Sequence, residues 1–94
     1  MADEIDPQAR FARNPAILFN DFDDGIIMMD IEAGTYFDID AIGSRIWTLL
    51  DQPAALADIS AALCEEYSVD PATCLAETGD FLAELTRMGL IRTV

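Results

Sequence analysis

The chain changes character at residue 40. Before it, apolar residues come in short runs separated by turn formers. Ala16-Ile17-Leu18-Phe19, Ile26-Ile27-Met28-Met29-Asp30-Ile31 and Thr35-Tyr36-Phe37-Asp38-Ile39 have the length and the β-branched and aromatic content of strands. Asp24-Gly25 is a hairpin signal, and Gly34 in Glu32-Ala33-Gly34 is free to take a positive φ. The prediction is a three-stranded antiparallel meander. In its third strand, alternation sends Phe37 and Ile39 to the core and Tyr36 and Asp38 outward.

After Asp40 the period lengthens to 3.6. Asp40 is placed to cap a helix from Ala41, with Ile42, Ile46, Leu49 and Leu50 on one face and Trp47 beside them; Pro53 ends it. A second helix runs from Ala55 to Tyr67, with a stripe of Leu56, Ile59, Leu63 and Tyr67. Asp70-Pro71 opens a third, because Pro at the first helical position lacks only an N–H that would be unbonded anyway. Its stripe is Leu75, Thr78, Leu82 and Leu85, and Gly89 stops it after Met88. Leu90 to Thr93 returns extended. Residues 1–14 are polar and contain Pro7, which predicts a flexible N-terminus before one domain over 15–94. The fold class is α+β, a three-stranded antiparallel sheet followed by three α-helices.

Composition narrows the chemistry. The 94 residues suit one domain, and 52% hydrophobic content lets it fold without metals or bridges. Five basic residues stand against 18 acidic ones, a net charge of −13. That argues against nucleic acid and anionic membranes as partners, since both require cationic surface. The carboxylates either steer a basic partner or serve solubility alone. Acidic residues follow Met1 where a secretory signal would be basic, and no apolar run nears the roughly 18 residues of a membrane span. A cytoplasmic location is expected. Cys64 and Cys74 lack metal-type spacing and are expected as buried thiols. The chain has no histidine, hence neither the commonest general base nor any Ser-His or Cys-His pair. Asp21-Phe22-Asp23-Asp24-Gly25 departs from a calcium loop: its glycine is fifth, not sixth, and strand-like residues follow. No enzyme activity, metal or cofactor is expected.

The ordered set Asp24-Gly25, Met28-Met29, Gly34 to Asp40, Ile42-Gly43-Ser44-Arg45-Ile46-Trp47, Leu49-Leu50-Asp51, Tyr67 to Asp70, Phe81-Leu82 and Gly89-Leu90-Ile91 resembles the PqqD-like family across nearly the whole chain. Ile39-Asp40 stands where that family often has Leu-Asn, and Glu77-Thr78 where Asp-Val is common. The resemblance implies a winged-helix-like domain that recognises the leader of a ribosomally made precursor peptide. The leader would add as a strand beside the third strand, in a cleft walled by the third helix. The strand from Gly34 to Asp40, followed by Ile42-Gly43 and Ile46-Trp47, is more similar to the stand-alone lasso-peptide type, which hands its precursor to a leader protease and modifying enzyme. The alternative is the peptide chaperone of pyrroloquinoline-quinone synthesis, which presents its precursor to a radical enzyme. An alternative of another class is a winged-helix regulatory or protein-interaction module.

Energetics bear on such a site. Four or five backbone hydrogen bonds at a net ~1 kcal/mol each give a dissociation constant near millimolar. Micromolar binding needs about −8 kcal/mol, so two or three guest side chains must be buried at ~1.5–3 kcal/mol each. The expected binding residues are Thr35, Tyr36, Phe37 and Asp38 on the strand, with Met28, Leu75, Thr78, Gly79 and Leu82 forming pockets. A mid-helix glycine costs ~1 kcal/mol relative to alanine, so at Gly79 either a guest or a core side chain approaches closely.

Overall fold

A computed structural model of the chain describes residues 6–22 and 25–94. In chain order its elements are β1 (Arg10–Arg13), β2 (Ile17–Phe22), β3 (Gly25–Asp30), β4 (Thr35–Ile39), α1 (Ala41–Leu49), β5 (Ala54–Ala55), α2 (Leu56–Tyr67), α3 (Pro71–Arg87) and β6 (Ile91–Thr93). The class is α+β, with three helices among the described residues.

The expected meander is β2-β3-β4, antiparallel throughout. Met28 sits opposite both Phe19 and Phe37, and Phe22 opposite Gly25. The hairpin positions Asp23 and Asp24 lie outside the described residues.

The strands-then-helices order holds only in part: the meander precedes the three helices, but β5 falls between α1 and α2 and β6 follows α3. A second three-stranded sheet, β5-β1-β6, joins the N-terminal segment, the α1–α2 connection and the C-terminus. Phe11 lies opposite Ala54 on one side and Thr93 on the other. β6 falls in the segment expected to return extended, whereas β1 and β5 are too short for local periodicity to show, and the partners of all three are distant in sequence.

The same sheet takes in Arg10–Arg13, part of the segment expected to be flexible. Phe11 is 1% exposed and belongs to the core. The segment before it also caps α2, whose N-cap Ala55 makes no side-chain bond. Leu56 N–H donates to the Ala9 carbonyl (3.0 Å) and Ala57 N–H to that of Pro7 (2.9 Å), satisfying donors that a helix start leaves free. Residues 1–5 lie outside the described set.

Local signals elsewhere act as expected. The Asp40 side chain accepts from Gly43 N–H (2.9 Å) at the start of α1, and Asp70 accepts from Thr73 N–H (3.0 Å) before Pro71. Gly89 takes φ +79°, with Leu90 N–H bonded to the Leu85 carbonyl and Gly89 N–H to that of Thr86. This Schellman pattern closes α3 and turns the chain into β6.

Arg13 fastens the two sheets together. From β1 it donates two hydrogen bonds to the Trp47 carbonyl at the end of α1 (3.0 and 2.6 Å). Its guanidinium lies 4.7 Å from the Trp47 ring centroid and 5.0 Å from that of Phe19 on β2. The two rings meet edge to face. Burial pushes the guanidinium pKa below its ordinary value, while Asp51 and Asp21 oppose that shift. Among the described residues, no helix is long and apolar enough to cross a membrane.

Phe11→Ala is expected to lower unfolding stability by about 3–5 kcal/mol, as for other buried phenylalanines. Urea denaturation measures it; a loss below about 1 kcal/mol would show that β1 is not part of the folded unit.

Candidate functional site

The β2-β3-β4 sheet is open at β4. The Asp30 carbonyl accepts from Gly34 N–H (2.8 Å), so the backbone polar groups of Asp30 face β4. These groups alternate along an antiparallel ladder. Through the register Asp30–Thr35, Met28–Phe37 and Ile26–Ile39, the backbones of Thr35, Phe37 and Ile39 bond to β3. Tyr36 and Asp38 therefore turn their N–H and C=O groups to the open edge. An unpaired row of this kind is a template for an added strand.

At the C-terminal end of β4 the edge runs into a cleft of about 440 Å³ between α1, the end of α2 and the first half of α3. Ile42, Ile46, Leu63, Val69 and Phe81 make it largely apolar, with the buried Cys74 and Thr78 and the exposed Tyr67, Asp40 and Glu77 completing its lining. Ile42 is 52% exposed and Tyr67 45% exposed, although both sit on helical stripes expected to be buried. Their apolar surface lines the cleft instead. Arg45 of α1 holds Glu66 of α2 through both carboxylate oxygens, bracing the two helices. This bond holds the Glu66 carboxyl below its usual pKa.

Gly43 permits this convergence. A Cβ there would stand 2.5 Å from Cγ2 of Ile39 and 2.7 Å from Cζ of Phe81. Only a glycine lets β4 and α3 crowd the first turn of α1 so closely. The sequence contains one sign of it, a glycine inside an otherwise regular helical pattern.

The expected site residues separate into groups. Thr35, Tyr36 and Asp38 are exposed on β4, and Phe37 is half-buried on its inner face. Thr78 lines the cleft. Met28 and Leu82 are fully buried in the core and present no surface to a guest. Leu75 lines a different, shallower groove between the outer faces of α2 and α3, with Ala57, Ala61 and Pro71. Gly79 faces α2: a Cβ there would meet Cδ2 of Leu56 at 3.5 Å, ordinary contact distance. A core neighbour thus lies beside Gly79, which is not among the residues that line the cleft. Both cysteines are free thiols; Cys74 is buried and Cys64 partly so. No group of three or more potential ligands that could hold a metal occurs among the described residues.

An open antiparallel edge that ends at an apolar cleft defines a peptide-binding domain. The family of coenzyme PQQ synthesis protein D (PqqD) matches residues 25–91, and the chain belongs to it. TbiB1, solved in complex with the TbiA(beta) leader peptide, is similar at 38% identity and a TM-score of 0.79, over 85% of this chain and 93% of that one. A lasso peptide synthetase B1 complexed with the leader peptide shares the fold at 24% identity and a TM-score of 0.72, over 86% and 95% of the two chains. So does the PqqD truncation of Methylobacterium extorquens PqqCD, a functional and stand-alone recognition element, at 19% identity and a TM-score of 0.73, over 88% of each chain. No curated protein sequence matches this chain.

Gly79→Ala is expected to raise stability by up to about 1 kcal/mol through helix propensity and to leave peptide binding unchanged. Gly43→Ala is expected to cost about 1–3 kcal/mol by overpacking. Thermal unfolding of the pair tests both; equal effects would contradict the different surroundings of the two glycines.

Proposed function

We propose that this chain binds the leader segment of a ribosomally synthesised precursor peptide of the lasso type and delivers it, in the cytoplasm, to a leader protease and a modifying enzyme. It acts as a winged-helix-like, non-catalytic recognition domain. The leader adds as a strand to β4 and sends side chains into the cleft beyond it. The carrying observation is the junction of edge and cleft, in a chain 38% identical over nearly its whole length to a protein solved with a leader peptide. Tyr36 and Asp38 offer the guest about four backbone hydrogen bonds, too few alone for micromolar affinity. The apolar lining supplies the remainder through Ile42 and Phe81. The quinone-pathway chaperone shares the fold; the strand from Gly34 to Asp40 and its following Ile42-Gly43 favour the lasso role.

A fluorescent leader peptide from the precursor encoded beside this chain is expected to bind with micromolar or tighter affinity, read by anisotropy. Ile42→Glu, at an exposed position, is expected to weaken binding at least about tenfold, since it sets a charge where an apolar anchor docks, with cooperative unfolding retained. Unchanged affinity in that variant would move the guest out of the cleft, and absence of binding to any encoded precursor would overturn the function.

A further inference from the structure

The sheet's outer face carries apolar surface that the core does not use. Register aligns Leu18, Met29 and Tyr36 in one row across the three strands, and Asn20, Ile27 and Asp38 in the next. Leu18 is 51% exposed and Tyr36 67% exposed. A shallow groove of about 170 Å³ lies over this face, lined in part by Leu18, Ile27, Met29 and Tyr36. Both rows end at the open edge of β4.

We infer that this outer face is a second reading surface for the peptide guest, selecting a basic residue beside Asp38 and an apolar or aromatic residue beside Tyr36. The inference rests on the strand-addition reading given above and goes beyond it, since the cleft reads only the guest's inward side chains. A strand added to an antiparallel sheet in the prevailing sense runs opposite to β4. Its residues alternate between faces. The residues paired with Asp38 and Tyr36 therefore both point outward, extending the two rows by one strand. Because the guest runs antiparallel, the position beside Asp38 comes first and the position beside Tyr36 two residues later. The apolar row through Leu18, Met29 and Tyr36 gains a neighbour that covers the exposed tyrosine ring, and aromatic cross-strand pairs are favourable. At Asp38 the guest meets a carboxylate in a chain of net charge −13, where a cation is attracted and an acid repelled. The same charge opposes a second copy of this chain as the occupant.

A panel of leader peptides from the adjacent precursor, with each residue replaced in turn by Lys, Glu, Leu or Ser, tests the pattern by anisotropy. Against the unaltered protein, one position is expected to favour Lys over Glu by about fivefold. Asp38→Asn is expected to remove that preference and Asp38→Lys to reverse it. Two residues further along the peptide, Leu is expected to outbind Ser by about threefold, a difference lost in Tyr36→Ala. Both side chains are exposed, so the variants are expected to melt like the parent. If the parent chain binds the unaltered leader but no position shows the reversal, or the apolar preference is not two residues beyond it, the outer-face inference fails and leader binding stands. If the parent chain binds no peptide, the strand-addition reading fails and takes this inference with it.

Discussion

The guest-facing side of this molecule depends on an absence of atoms at Gly43. With no side chain there, Ile39 at the end of β4 and Phe81 in the middle of α3 both close on the first turn of α1. A methyl group there would force both side chains to shift. The Asp40 cap works at the same place, because its carboxylate accepts from the Gly43 N–H. Strand end, helix cap and cleft wall are thus set by Ile39, Asp40 and Gly43, within five positions, and one phenylalanine.

The second sheet explains how so small a domain can leave an edge and a cleft uncovered. By pairing both ends of the described chain with the α1–α2 connection, β5-β1-β6 buries Phe11 and Ile91 beneath α2 and α3 without using β4. Arg13 then ties that sheet to α1 and β2 by carbonyl hydrogen bonds and ring stacking at once. None of these contacts pairs with β4, whose edge stays open.

Much was legible locally. The three meander strands, the caps at Asp40 and Asp70, and the stop at Gly89 follow from residue types whose preference is decided within a few positions. The family resemblance was legible for the same reason, being carried by an ordered series of such short signals. The binding residues were less so. Tyr36, Phe37, Asp38 and Thr78 lie where a peptide could meet them, while Met28 and Leu82 are core and Leu75 lines another groove. A helical stripe shows that a residue faces inward; it does not show whether another helix or an open cleft is waiting there. Ile42 and Tyr67 are the converse case, stripe residues whose neighbour is missing.

The two glycines mark the boundary between what each level decides. The sequence by itself determined that the three meander strands precede the three helices, that the chain carries no histidine, and that a glycine interrupts each of two helices. Periodicity, capping and composition are short-range properties and need no partner to be read. Only the tertiary structure decided that Gly43 admits Ile39 and Phe81 whereas Gly79 simply rests on Leu56. It also decided that the first and last strands pair, because both outcomes depend on contacts between segments far apart in the chain, whose meeting no local pattern records.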